Sequence, residues 1–276
     1  MNLSRTYIWR ILRERKILAA HKRVAKICEA LIKEYESAHV DFDLTPKKQF
    51  DSDRIIWQYW AQGYDDVPKI VRDCLDSVDK YAADYTVVRL DDDNLADYLD
   101  IPEYVQAKRA SYSIAHFSDL LRLMLLAVYG GIWIDATIML SGVIPETYLL
   151  QDLFVFRRDP NEPDQKYWRN TYAYYFGWSK GFKVNMLNSF IIAKKGNKTI
   201  TDLCHYMLLW WKEHDSIPDY FFFQILFDTY APKDVCPLIS DTLPHYLQQS
   251  INDPTFNLIP TGEILREIPI HKLSYK

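Results

Sequence analysis

Along the first 36 residues, apolar side chains recur at intervals of three, four or seven, with Ile8, Ile11, Leu12, Leu18, Val24, Ile27, Leu31 and Tyr35 in one series. That spacing lines one face of an α-helix. From about Thr45 the pattern changes to short apolar runs alternating with helical segments, which predicts an α/β domain rather than a helical bundle. RIIWQYW, Arg54 to Trp60, reads as a first strand. Lys69 to Lys80 reads as a helix with Ile70, Val71, Cys74, Leu75 and Val78 on one face, and TVVRL, Thr86 to Leu90, as a second strand. Strand, helix and strand in this order make a βαβ unit.

The run DDDN, Asp91 to Asn94, reads as a solvated turn in which one Asp caps a helix, with a metal site as the alternative. The most apolar helix follows, SDLLRLMLLAVYGG, whose Leu120, Leu121, Leu123, Met124, Leu125, Leu126 and Val128 cover almost every direction, so it must be buried. Asp119 and Arg122 lie three apart inside it and share a face. Charges taken out of water need each other or a polar ligand. Gly130 and Gly131 close the helix, because glycine tolerates left-handed backbone. IWIDATIML then alternates as one strand, with Ile132, Ile134, Ala136, Ile138 and Leu140 on one face and Trp133, Asp135, Thr137 and Met139 on the other.

An Asp in such a stretch is costly unless it meets a cation, a strong donor set or the exposed end of the strand. In open α/β sheets ligands gather outside the carboxyl ends of strands, so Asp135 is the leading candidate for a functional carboxylate. Asp119, Arg122 and Asp135 together could hold a ribose or a metal-bound diphosphate, since hard divalent ions take oxygen ligands.

Composition narrows the class. The chain is 276 residues long, 49% hydrophobic and 25% charged, with a formal net charge of -4, which excludes general disorder and describes a soluble globular protein. The charge is uneven: residues 1–26 carry eight Lys or Arg against Glu14 alone, a net +7 that leaves -11 on the remainder. The first helix is therefore basic and amphipathic. It either docks on its own domain or lies on an anionic membrane, and the acidic remainder argues against nucleic acid. Cys28, Cys74, Cys204 and Cys236 are far apart, with no zinc-finger spacing, and no apolar window is long enough for a signal peptide or a bilayer span. The expectation is a reduced, cytoplasmic protein. No H-E-x-x-H, Walker loop, G-x-G-x-x-G or G-x-S-x-G occurs, which disfavours zincins, P-loop enzymes, dinucleotide-binding domains and α/β-hydrolases. His116, the histidine beside the motif region, is expected to orient backbone rather than catalyse.

The second half begins with LFVFRRD and an aromatic-rich loop, Lys166 to Trp178. Its rings either stack on sugar faces in an acceptor groove or pack in the core. ITDLCHYMLLWWKEH and DYFFFQILFDTYA read as two core helices.

The segments IIWQYWAQG, VPKIVRDCLDSV, LDDDNLADYLDIPEY and HFSDLLRLMLLAVYGGIWIDATI, in order between Arg54 and Pro145, resemble the bacterial capsular polysaccharide synthesis proteins. Those are similar to the α-mannosyltransferase group that shares a sugar-binding region with the large glucosylating clostridial toxins. The resemblance implies a GT-A fold, a nucleotide-sugar-binding α/β sandwich with a central mixed, mainly parallel sheet. Chain length and the change of pattern near Thr45 predict an N-terminal helical appendage at residues 1–45, and the resemblance implies that 46–276 is the glycosyltransferase domain. Asp135 falls on the first Asp of an Asp-x-Asp motif that holds the donor diphosphate through a divalent ion, Mn or Mg. Asp119 and Arg122 fall on residues that contact donor sugar and phosphate, Trp57 on a tryptophan that stacks on uracil, and Asn188, in VNMLNSFIIAKKGN, on a polar donor contact.

The second acid of the motif, the direct metal ligand in the relatives, is Thr137 here, whose hydroxyl could reach a metal only through water. The implied activity is transfer of a sugar from a nucleotide donor, UDP-linked, onto a capsular or other surface glycan or a lipid-linked oligosaccharide. Retention at the anomeric carbon is implied, and no catalytic base is assigned. Peripheral membrane contact through residues 1–36 would bring such an enzyme to its acceptor. The alternative is a non-catalytic nucleotide- or glycan-binding protein on the same fold.

Overall fold

The structure, a computed structural model, describes residues 5–38, 42, 44–172 and 174–275. Residues 1–4, 39–41 and 43, inside the expected N-terminal appendage, lie outside the described residues, as does Ala173 in the aromatic loop. The elements in chain order are α1 (Arg5–Ala38), β1 (Ile55–Tyr59), α2 (Lys69–Tyr81), β2 (Thr86–Leu90), α3 (Glu103–Lys108) and α4 (Ile114–Tyr129). β3 (Gly131–Ile134), β4 (Ile138–Leu140), α5 (Glu146–Leu149), β5 (Leu153–Arg157), α6 (Gln165–Thr171) and β6 (Met186–Ala193) follow. The chain ends with α7 (Lys198–Glu213), α8 (Phe222–Tyr230), α9 (Tyr246–Asn252), α10 (Thr261–Glu267) and β7 (Ile270–Lys272).

Five strands form a mixed sheet in the order β2-β1-β3-β6-β5. β1 pairs parallel with β2 and β3, while β6 runs antiparallel to both β3 and β5. The sheet is buried on both faces, which is why its strands read as nearly continuous apolar runs. One face sends Trp57, Trp133, Val155 and Ile191 into a large core shared with α4, α7 and α8. The other sends Ile56, Ile132, Phe154 and Phe190 against Val78 of α2 and against Ile138, Leu140 and Ile270, the last three contributed by a separate two-stranded sheet, β4-β7.

IWIDATIML departs from the single strand that its alternation predicts. The chain leaves the main sheet after Ile134, turns through Asp135–Thr137 with Ile138 N donating to the Asp135 carbonyl at 2.8 Å, and resumes as β4 in the other sheet. Alternation persists across the break because both halves bury the same apolar face, so periodicity alone does not reveal the turn. Lys166–Thr171, expected in a loop, lies within α6.

The glycine pair is required where it stands. Gly130 and Gly131 have φ of 72° and 96°, and a Cβ would lie 2.4 Å from Lys195 N at the first and 2.5 Å from the Ile55 carbonyl at the second. These contacts let α4 stop and β3 enter beside β1 without a spacer. α1 buries Val24, Ala25, Cys28 and Leu31 in the large core yet exposes Ile8, Trp9 and Leu12 near its start. Among the described residues no helix is long and apolar enough to cross a membrane, and the four cysteines are free and buried.

Candidate active site

Asp135 stands at the carboxyl end of β3, where the strand leaves the sheet. Its backbone N–H donates to Ser189 O at 2.9 Å, fixing the exit. Its carboxylate receives the Trp133 indole N–H at 2.7 Å and Arg122 Nη2 at 3.4 Å on Oδ1, and Lys272 Nζ at 3.3 Å on Oδ2. Burial pushes this carboxyl up, but Arg122, Lys272 and the Trp133 hydrogen bond together outweigh it and hold it below the ordinary value.

Arg122 is the hub. From α4 it pairs with Asp119 at 3.0 Å, donates to Asn188 O at 2.7 Å and to both the carbonyl and the hydroxyl of Ser118, and lies 5.1 Å from the Trp133 ring centroid. Asp119 also accepts from Asn188 Nδ2 at 2.8 Å. Its pKa is pushed up to about 6 because burial outweighs the help of Arg122 and Asn188, and Asp135 adds repulsion. Asp119, Arg122, Asp135 and Asn188 are thus brought into one cluster.

The cluster lies in the wall of a cleft of about 640 Å³. Tyr59 and Trp60 reach it from the end of β1, Tyr172 and Tyr175 from the aromatic loop, and Tyr220 and Gln224 from the start of α8 and the residues before it. The aromatic loop has a double role: Tyr172 and Tyr175 line the cleft while Phe176 and Trp168 are fully buried. His245 is also in the wall, but burial lowers its pKa to about 3, so its imidazole is neutral.

Trp57 is not brought to the cleft. It is fully buried, donates to Gly130 O at 2.9 Å and packs its ring against Phe50, Tyr98 and Tyr129. The ring is fully enclosed by the core, which leaves no surface for a base. Trp60, three residues on, lines the cleft 5.4 Å from the Tyr275 ring, at the strand end where ligands gather. Its position just past the last strand residue was the available signal.

Thr137 is buried, and its hydroxyl accepts from Lys272 Nζ at 2.5 Å. Lys272 therefore bridges Thr137 and Asp135, joining residues 135 and 137 positions apart, a separation that hides it from motif reading. As a ligand set for Mn or Mg these residues fit poorly. One carboxylate and one neutral hydroxyl are both already engaged by an ammonium, and among the described residues no three His, Cys, Asp or Glu side chains group to hold an ion.

A family model described as capsular polysaccharide synthesis protein matches residues 6–276. The chain belongs to that family. Two relatives are O-glycosyltransferase braB of Annulohypoxylon truncatum, 31% identical over 160 residues that are 54% of this chain and 35% of that protein, and O-glycosyltransferase PaGT of Phomopsis amygdali, 29% identical over 137 residues that are 46% and 30%. The chain spans about a third of the length of these curated relatives. Among solved structures, PaToxG Glycosyltransferase aligns over 78% of this chain and 80% of its own at 17% identity, with a TM-score of 0.40.

In this member of the family the cleft offers two carboxylates to accept from hydroxyls, two cations to receive an anion, and aromatic rings with amphipathic faces. A charged, hydroxyl-rich ligand with a planar group suits that combination.

Proposed function

We propose that the protein is a glycosyltransferase of GT-A type that moves a sugar from a nucleotide donor, UDP-linked, onto a capsular or other surface glycan with retention at the anomeric carbon. The observation that carries this reading is the cluster of Asp119, Arg122 and Asp135 in one cleft, at the carboxyl end of β3. Asp119 and Asn188 accept and donate to sugar hydroxyls. On this reading Arg122 receives the departing diphosphate, and its attraction grows toward the transition state as that group gains charge. Trp60 takes the base-stacking role that Trp57 cannot. The mixed sheet covered by helices on one face and by α2 with the small sheet on the other supports the GT-A reading.

The deciding experiment is release of UDP or GDP from a panel of nucleotide sugars, with and without glycan acceptors, in Mn, Mg or EDTA. Release by the wild type that Asp135→Asn abolishes supports transfer. Nucleotide binding by calorimetry without any release moves the reading to the binding protein, a rival motivated by Thr137 in place of the second acid. The absence of both binding and release would overturn the donor site.

Peripheral membrane contact belongs to the same proposal. Ile8, Trp9 and Leu12 are exposed on α1 beside Arg10, Arg15 and Lys16, an apolar edge flanked by cations that suits an anionic lipid surface. Ile8→Ser with Trp9→Ser and Leu12→Ser is expected to release the protein from vesicles containing anionic lipid, and unchanged binding would remove the idea.

A further inference from the structure

We infer that Lys272 supplies the positive charge at the donor diphosphate that a divalent ion would otherwise supply, so that transfer proceeds without metal. This rests on the transferase reading above. β7 is the last strand of the described chain, and its pairing with β4 sets Lys272 opposite Ile138, with Leu273 N donating to Thr137 O at 2.9 Å. The backbone therefore fixes the lysine beside the turn that carries Asp135 and Thr137. Its ammonium lies 3.3 Å from Asp135 Oδ2 and 2.5 Å from Thr137 Oγ1, on the two oxygens that the turn offers to a cation.

An ion placed on those oxygens would meet an ammonium already there and like charge beside it. Thr137 makes the arrangement self-consistent: a neutral oxygen accepts from the ammonium without neutralising it, whereas a second carboxylate would. Lys272 is partly exposed and lines the cleft together with Arg122. Arg122 is shared between Asp119 and Asp135, so Lys272 is the cation that brings the cluster to charge balance and faces the space a diphosphate would fill.

In the transfer, the bond from C1 of the sugar to the β-phosphate oxygen breaks with its electron pair staying on that oxygen. The acceptor hydroxyl oxygen forms the new bond to C1, and its proton passes to the departing diphosphate. Lys272 and Arg122 donate to the phosphate oxygens that gain charge in this step.

The test compares wild type, Lys272→Met, Lys272→Arg and the double variant Lys272→Ala with Thr137→Asp. The expected result is wild-type UDP release unchanged by EDTA, a loss of about 100-fold or more in kcat for Lys272→Met, partial recovery in Lys272→Arg, and release by the double variant only with Mn. Wild-type release that EDTA abolishes and Mn restores would overturn the inference, as would full activity of Lys272→Met. Paramagnetic resonance of Mn added with UDP gives a readout independent of turnover and of variant folding: no bound Mn in the wild type is expected, and stoichiometric binding overturns the assignment. Should the wild type turn over no donor, the transferase reading fails separately. UDP calorimetry in EDTA then decides Lys272, an affinity lowered tenfold or more by Lys272→Met supporting it and an unchanged affinity overturning it.

Discussion

Trp133 of β3 donates its indole N–H to Asp135, just past the end of the strand, at 2.7 Å. The ring itself is buried in the large core, so the donor is held by packing and the carboxylate is aimed by the donor. This explains how a carboxylate at a strand exit keeps one orientation while two cations compete for its oxygens. Trp133→Phe keeps most of the packing and removes the N–H. Donor turnover is expected to fall about 10-fold, at a stability cost of about 1 kcal/mol. Unchanged turnover in a folded variant would show that Arg122 and Lys272 orient Asp135 without help.

Asp119 gives a pH dependence with a definite sign. Burial first, and the Asp135 charge after it, push its pKa up to about 6 against the opposing pull of Arg122 and Asn188. The native carboxyl is thus ionised above about pH 6 and protonated below. If the carboxylate accepts from a sugar hydroxyl, kcat/KM falls as pH drops from 7 to 5, and Asp119→Asn lowers activity and flattens that limb. Stability runs the other way: between the ordinary carboxyl value of 3.8 and about 6, the folded state binds more protons than the unfolded, so this group's contribution declines as pH rises through that window. Melting of wild type and Asp119→Asn from pH 4 to 7 checks the second half, and a difference that grows in the other direction would refute it.

Trp57 and Trp60 divide between core and cleft within one strand and its exit. Trp57 is enclosed and hydrogen-bonded to Gly130 O, so Trp57→Phe is expected to cost about 1–3 kcal/mol of stability and leave donor KM unchanged. Trp60 lines the cleft, and base stacking on an aromatic ring contributes about 1–3 kcal/mol. Trp60→Ala should therefore raise the donor KM about 10- to 100-fold with little change in melting temperature. The reverse outcome, with donor KM tracking Trp57, would return the base to the position that the resemblance implies.

These two tryptophans also show where the sequence was readable. The βαβ unit, the buried helix and its glycine stop were legible because each obeys a local rule: alternation, apolar coverage, or a φ that only glycine tolerates. Asp119, Arg122 and Asp135 were legible because charge inside an apolar run demands a partner. That Trp57 lies in the core and Trp60 at the cleft was not legible, because a ring inside a buried strand and a ring at its exit differ by three residues and not in composition. Lys272 was hidden for a different reason. Its partners Asp135 and Thr137 are brought to it by strand pairing between β4 and β7, and pairing across more than a hundred residues leaves no local pattern.

Arg158 and Asp241 carry the last expectation. Asp241 is fully buried and takes Arg158 Nε and Nη2 at 2.9 Å each, while the same guanidinium donates to the carbonyls of Gly177, Tyr175 and Val184. The pair therefore ties the strand end after β5 to the aromatic loop that delivers Tyr172 and Tyr175 to the cleft. Asp241→Ala leaves a buried guanidinium uncompensated and is expected to cost about 3–5 kcal/mol. Asp241→Asn keeps an acceptor and loses the charge, so its cost should be smaller. Replacing both partners with Arg158→Met and Asp241→Leu removes the stranded charge but orphans three carbonyls, so stability should recover only in part. Denaturant unfolding of the three variants orders them, and complete recovery in the double replacement would mean that the loop carbonyls find other donors and do not depend on Arg158.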